Sequence, residues 1–203
     1  HRSHFEAARA AHNLLRAHAT AVQAYRAEGR NHIGLVVNLE PKTAASDRPE
    51  DLAATVRADA YFNRAYLDPV LLGAYPDELS TLFGEAWPDH SAADLDLIRA
   101  PLDFIGVNYY TRAVCRHDPD VWFEGVARVP QPRHPVTTLG WEVHPQGLLD
   151  ALLWVRARYG AVPLYVTENG AAFYDPPTAP GPLVDDPLRV AYLEAHLGAV
   201  RRA

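Results

Sequence analysis

Apolar residues along this chain follow two different periods, which separate predicted strands from predicted helices. Three short runs are continuously apolar and rich in β-branched or aromatic residues, which is typical of strands buried on both faces. These predicted strands lie at residues 33–39, 104–110 and 163–167. Elsewhere apolar residues recur every three or four positions and predict amphipathic helices. The predicted helices lie at residues 8–29, 49–66, 91–100, 148–159 and 187–200.

Glycine, proline and capping residues set the expected helix ends. Gly29 is expected to end the first helix, and Ser3 and Glu6 can form a capping box at its start. Pro69 and Pro76 are expected to break the chain after the second helix. Two proline-rich stretches are predicted to be loops, at residues 112–143 and 175–187. The last helix is predicted to have one apolar face, formed by Val190, Leu193, Leu197 and Val200.

The order of these elements is a helix followed by three strand–helix units. Strands that alternate with helices imply parallel strands joined by right-handed crossovers. This pattern suits a barrel or a doubly wound sheet, and periodicity does not separate the two. No glycine-rich fingerprint follows any predicted strand, which disfavours a nucleotide-binding fold. Because a closed barrel of this kind needs about eight strands, three strands leave apolar flanks uncovered within this chain.

Composition narrows the possible partners. The chain has 203 residues and a net charge of −6, with arginines scattered among acids, so a nucleic acid is not expected as a partner. No apolar run approaches the ~20 residues that cross a bilayer, so no membrane partner is expected either. The single cysteine, Cys115, excludes an intrachain disulfide and fits a cytoplasmic location. Because residue 1 is His rather than Met, we expect the chain to begin at a processed or internal point.

Three polar clusters follow the predicted strands, at residues 38–40, 108–111 and 167–170. In parallel α/β folds the active site lies at the C-terminal ends of the strands. Glu168 follows an apolar strand directly, so its carboxylate is expected at the mouth of a barrel, where a sugar can reach it. The alternative from position alone is that Asn169-Gly170 makes a turn and Glu168 is solvated beside it.

Several motifs of the sequence resemble those of glycoside hydrolase family 1, the β-glucosidase family. Val166-Thr167-Glu168-Asn169-Gly170 resembles the nucleophile motif of that family, and residues 104–111 resemble its sixth-strand motif. Residues 140–148 resemble the stretch that leads into its sixth helix, and the opening helix with residues 34–39 resembles the region of its fifth strand. The resemblance covers essentially the whole chain, in order. It implies that residues 1–203 are a single segment of an α/β fold, a partial TIM (β/α)8 barrel with about three strand–helix units after a helix, corresponding to strands five to seven.

The resemblance also implies a reaction. The family retains anomeric configuration by double displacement at terminal β-glycosyl residues, using one carboxylate as nucleophile and a second as acid/base. Glu168 matches the nucleophile, Tyr110 matches the tyrosine that orients it, and Asn108 matches a polar residue of the substrate site. For Tyr110 the alternative is a core aromatic whose hydroxyl reaches water at a strand end. The implied substrate is a β-glucoside or related β-glycoside, and no cofactor is implied.

The acid/base carboxylate of the family lies in an Asn-Glu-Pro motif that precedes the part matched here. Asn38-Leu39-Glu40-Pro41 has an inserted leucine and matches the end of the fifth strand, so we interpret Glu40 as a loop residue. One alternative is therefore a truncated, non-catalytic fragment or a sugar-binding remnant. Another is a different parallel α/β enzyme in which Thr-Glu-Asn-Gly occurs by chance.

The remaining candidates receive structural interpretations. Glu142 is expected to anchor a loop, and Cys115 is expected to be an inert thiol. Trp122 and Phe123 can line the aglycone side of a sugar site or plug the space under a loop, and we favour the plug. No HExxH or close His/carboxylate pattern occurs, so no metal site is expected. Uncovered sheet edges are expected to favour self-association.

Overall fold

A computed structural model describes residues 4–175 and 184–203 of the protein. Ser3 and most of the 175–187 loop lie outside these residues. The elements are α1 (His4–Glu28), β1 (Gly34–Leu39), β2 (Lys42–Ala44), α2 (Pro49–Asp59), α3 (Ala65–Leu71), α4 (Asp77–Phe83), α5 (Ala92–Ile98), β3 (Phe104–Tyr109), β4 (Ala113–His117), β5 (Val126–Arg128), α6 (Pro145–Tyr159), β6 (Leu164–Asn169) and α7 (Pro187–Val200).

The three predicted strands form one parallel sheet in the order β1-β3-β6. Leu35 pairs with Ile105, and Ile105 pairs in turn with Leu164. The pairing of β3 with β6 shifts after Val107, because Asn108 lies opposite Glu168 rather than Thr167. Such a bulge puts one extra residue into a strand and redirects the side chains that follow it.

Helices cover one face of this sheet, and the other face is open. Ile105, Val107 and Tyr109 are fully buried on the covered face, where α6 packs against them with Leu148 and Val155. On the open face, the exposed fraction is 49% for Val36 and 55% for Tyr165. A doubly wound sheet carries helices on both faces, so an open face favours the barrel interpretation. The architecture is that of a partial barrel.

A second, small sheet extends from the C-terminal ends of β1 and β3, in a region predicted to be loop. β2 pairs with β4 in parallel, and β4 pairs with β5 antiparallel. The loop prediction for 112–143 was therefore wrong over β4 and β5. These strands have only three to five residues, which is too short for a period of two to be recognised.

One prediction about helix ends was wrong, and one predicted helix face is not the face that packs. Pro69 does not break the chain, because it lies inside α3, which continues to Leu71 before Gly73 adopts a positive φ of 75°. The apolar face predicted for α7 exists but is exposed, with Val190 at 63% and Leu197 at 66%. Helix α7 packs instead through a different stripe, formed by Tyr192, His196 and Ala199.

No helix in the described ranges, 4–175 and 184–203, is both long enough and apolar enough to cross a membrane.

Candidate active site

The site is built at the C-terminal ends of β3 and β6, where the structure brings the three predicted residues together. The hydroxyl of Tyr110 donates a hydrogen bond to Oε2 of Glu168. Asn108 lies directly opposite Glu168 in the strand pairing. The spatial arrangement expected of Glu168, Tyr110 and Asn108 is thus present, while their chemical roles remain predictions.

Tyr110 holds its position through its ring and donates through its hydroxyl. The ring centroid lies 5.7 Å from that of Trp141, with the planes tilted by 51°. The hydrogen bond to Glu168 and, to a smaller extent, partial burial raise the pKa of Tyr110 to about 12. The phenol therefore stays protonated at neutral pH, and the carboxylate is the acceptor of its hydrogen bond. This arrangement suits a carboxylate that has to remain ionised and fixed in orientation.

Asn108 is oriented by Thr167, the extra residue of the bulge. The Thr167 hydroxyl donates to Oδ1 of Asn108 over 2.6 Å. This bond fixes which end of the amide faces Thr167, and the Nδ2 group at the other end makes no hydrogen bond to a protein acceptor within residues 4–175 and 184–203. An amide N–H group beside a carboxylate is suited to bind a sugar hydroxyl.

A further set of hydrogen bonds fixes the two strand ends, and it includes residues that the sequence analysis did not single out. Asn169 donates from Nδ2 to the backbone oxygen of Tyr109 over 2.9 Å and to the hydroxyl of Tyr192 over 3.1 Å. The Tyr192 hydroxyl in turn donates to the backbone oxygen of Tyr110 over 3.3 Å. Helix α7 thereby ties the residue that follows Glu168 to the residue that binds it. No local sequence signal marks Tyr192 for this role, because the contact joins residues 82 positions apart.

Glu142 lies close to this site and anchors a loop, as expected from the sequence. It is 8% exposed and accepts two hydrogen bonds of 3.0 Å from Arg112. Its backbone oxygen accepts a hydrogen bond of 3.0 Å from the hydroxyl of Thr111, which follows Tyr110. The loop that carries Trp141 is thus attached directly to the end of β3.

Glu40 lies in a loop and is 6% exposed. Arg128 donates from Nη2 to both oxygens of Glu40, over 2.5 and 2.6 Å, and Lys42 forms an ion pair with Oε1. The Lys42 side chain is only 5% exposed, so the pair neutralises a buried cation. The loop position of Glu40 agrees with the sequence analysis, and its carboxylate has a structural explanation.

The two aromatic residues of the β4–β5 connection differ in their surroundings. Phe123 packs edge-on against Tyr61 and Phe83, with ring centroids 5.5 and 4.9 Å apart, and so forms the expected plug. Trp122 is 75% exposed, and its ring lies at the edge of that plug, 6.1 Å from the ring of Phe123. Cys115 is 1% exposed and burial raises the pKa of its thiol, which agrees with an inert cysteine.

Comparison with known proteins identifies the family to which these features correspond. The model of glycosyl hydrolase family 1 matches residues 1–203. β-Glucosidase A of Thermotoga maritima is 37% identical over 202 residues, which cover 98% of this chain and 44% of that protein. A 1,4-β-D-glucan glucohydrolase of Thermotoga neapolitana is 38% identical, and the match covers 95% of this chain and 45% of that protein.

The solved structures agree. A family 1 β-glucosidase from Thermotoga maritima superimposes with a TM-score of 0.93 at 36% identity, covering all of this chain and 45% of that one. The chain therefore spans somewhat less than half the length of the relatives it matches.

Proposed function

Because the chain belongs to glycosyl hydrolase family 1, we propose that it carries the nucleophile side of the active site of a retaining β-glycosidase. Glu168 is the proposed nucleophile, Tyr110 orients it, and Asn108 binds a hydroxyl of the sugar. The proposed substrates are terminal β-D-glucosides, by analogy with the β-glucosidase relatives. We also propose that residues 1–203 form one segment of the barrel, equivalent to its strands five to seven. The cytoplasmic location predicted from the single cysteine stays a prediction.

The observation that carries this proposal is the hydrogen bond from Tyr110 to Glu168 across adjacent strand ends. In the proposed reaction, an oxygen of Glu168 attacks the anomeric carbon and the bond to the leaving oxygen breaks. The phenol keeps one carboxylate oxygen engaged, so the other oxygen is directed at the sugar. A second carboxylate, ~5–5.5 Å away, protonates the leaving oxygen and later activates water. In the family this group belongs to the Asn-Glu-Pro motif of the fourth strand, which precedes the part of the barrel matched here.

The direct test is a chimera in which these 203 residues replace the matching segment of the Thermotoga maritima β-glucosidase A. We expect the chimera to release the aryl alcohol from an aryl β-D-glucoside. Glu168→Gln removes the attacking oxygen and is expected to lower kcat by several orders of magnitude. Glu194→Gln makes the same chemical change on the exposed side of α7 and is the matched control. Full activity of the Glu168→Gln chimera would exclude Glu168 as the nucleophile.

A mechanism-based label locates the nucleophile independently of rate. A 2-deoxy-2-fluoro-β-glucoside with a good leaving group accumulates the glycosyl-enzyme, because the fluorine slows the second displacement. Peptide mass mapping is expected to find the sugar esterified to Glu168. A sugar attached to Glu40 or to another carboxylate would overturn the assignment.

A second proposal concerns the chain without the rest of a barrel. The open sheet face, with Val36 and Tyr165 about half exposed, leaves Glu168 exposed to water rather than enclosed in a barrel. We propose that the isolated 203 residues bind or orient a sugar without turning it over, and that they self-associate through the uncovered sheet. Turnover of an aryl β-glucoside by the isolated chain would contradict the first part. A monomeric mass at all concentrations in sedimentation would contradict the second.

A further inference from the structure

Two histidines and a glutamate converge at the base of a small hairpin beside the candidate active site. The hairpin spans residues 134–144. Its ladder contains the bridge between Val136 and Glu142, with backbone hydrogen bonds from Val143 to Pro135 and from Thr137 to Trp141, each of 2.8 Å. Continuing that ladder by two residues places His134 directly opposite His144.

The strand geometry explains why the three side chains meet. Residues 142 and 144 are two apart on one strand, so their side chains share a face, and the side chain of residue 134 faces them from across the ladder. The bridge between Val136 and Glu142 is a non-hydrogen-bonded pair, the type in which facing side chains lie closer together. The next such pair joins His134 and His144. The cluster forms only when the hairpin pairs its strands, which is why no metal site was expected from the sequence at His134, Glu142 and His144.

The distances fit a metal ion. Nδ1 of His134 lies 3.0 Å from Oε1 of Glu142, and Nδ1 of His144 lies 3.5 Å from the same oxygen. All three potential ligand atoms lie within 4.8 Å of one another. In a tetrahedral zinc site with bonds of ~2.0–2.1 Å, neighbouring ligand atoms are about 3.3–3.4 Å apart. The cluster thus needs only small side-chain movements to surround an ion.

The surroundings supply both an accessible side and a support. The His134 side chain is 43% exposed and leaves an entry path, whereas Glu142 is 8% exposed. Arg112 donates from Nη2 to Oε1 and from Nε to Oε2 of Glu142, each over 3.0 Å. A guanidinium that holds the ligating carboxylate fixes its orientation, as second-layer partners of metal ligands do. Its positive charge opposes a cation, so we expect moderate rather than very tight binding.

We propose that His134, Glu142 and His144 form a binding site for a divalent transition metal, with zinc as the best match. Two imidazoles and one carboxylate are a ligand set that zinc adopts in proteins, and they leave a fourth position for water. The ion would join the two strands of the hairpin that presents Trp141 to Tyr110, at the rim of the candidate site.

Zinc binding to the 203-residue chain, measured by calorimetry, tests the site. We expect one equivalent to bind with a Kd on the order of micromolar, and Co2+ at the same site to show the visible absorption of a tetrahedral complex. His134→Ala and His144→Ala are each expected to weaken binding at least about a hundredfold, because each removes one of three ligands. His32→Ala removes an exposed histidine elsewhere and is expected to leave the Kd unchanged.

Stability gives a second readout. Zinc at a hundred times its Kd is expected to raise Tm by about 5–10 °C, and His134→Ala is expected to abolish that rise. Because the His134 side chain is 43% exposed and lies in a surface hairpin, its substitution is expected to leave the fold intact, so this variant decides the test if His144→Ala is unstable. The proposal is overturned if millimolar zinc fails to bind, or if binding persists unchanged in His134→Ala.

Discussion

The hydrogen bond between Tyr110 and Glu168 makes a quantitative prediction for Tyr110→Phe. The substitution removes only the hydroxyl, so the ring that packs on Trp141 is retained. A hydrogen bond to a charged group contributes about 1.5–3 kcal/mol. Since each ~1.4 kcal/mol is a tenfold change in rate, kcat/KM is expected to fall about ten- to a hundredfold.

The neighbouring tyrosine is a matched control for this variant. Tyr109 is fully buried, and its hydroxyl donates over 2.6 Å to the backbone oxygen of His144. Tyr109→Phe leaves that partly buried oxygen without this donor, which costs about 1–3 kcal/mol of folding free energy. Because the Tyr109 hydroxyl points away from Glu168, the rate constant is expected to change little.

The assay compares both variants in the chimera with Thermotoga maritima β-glucosidase A. Initial rates on an aryl β-D-glucoside give kcat/KM, and urea unfolding gives stability. We expect Tyr110→Phe to lose rate at nearly constant stability, and Tyr109→Phe to lose stability at nearly constant rate. The reasoning is refuted if Tyr110→Phe retains kcat/KM within twofold, or if both variants lose rate equally.

Three further predictions concern stability and the support of the site. Asp68 is 3% exposed and accepts hydrogen bonds of 2.8 and 2.6 Å from Arg158, so Asp68→Asn is expected to lower the free energy of unfolding by about 2–4 kcal/mol, measured by urea titration. A Cβ at Gly106 would lie 2.8 Å from Cγ2 of Thr167, so Gly106→Ala is expected to cost about 1–3 kcal/mol of folding free energy. It is also expected to reduce kcat, because it displaces Thr167, the residue before Glu168. An unchanged kcat would contradict this. Burial lowers the pKa of His196, so the unfolded chain binds more protons than the folded chain below pH ~6.5. Stability is therefore expected to fall from pH 7 to pH 5, with a smaller slope in His196→Leu. Equal slopes in the two proteins would exclude His196 as a source of this pH dependence.

The candidate site could be predicted largely from local sequence, since its three residues lie in two short sequence motifs at strand ends. Glu168 and Tyr110 are 58 positions apart, yet parallel pairing of neighbouring strands brings the ends of both motifs to the same rim of the sheet. The bulge that aligns Asn108 with Glu168 was not predictable, because it depends on how β6 pairs with β3. The role of Tyr192 was hidden for the same reason, as a contact from a distant helix.

The sequence by itself determined the three strands of the main sheet, their parallel direction, most ends of the helices that it predicted and the position of the proposed nucleophile. Each of these follows from local periodicity, capping or a contiguous sequence motif, and needs no knowledge of distant partners. Only the tertiary structure decided which stripe of α7 is buried, where Glu40 finds its cations, and that His134, Glu142 and His144 meet. Periodicity identifies a face but not the surface that covers it, and buried charges or ligands are chosen by long-range contacts that exist only after folding.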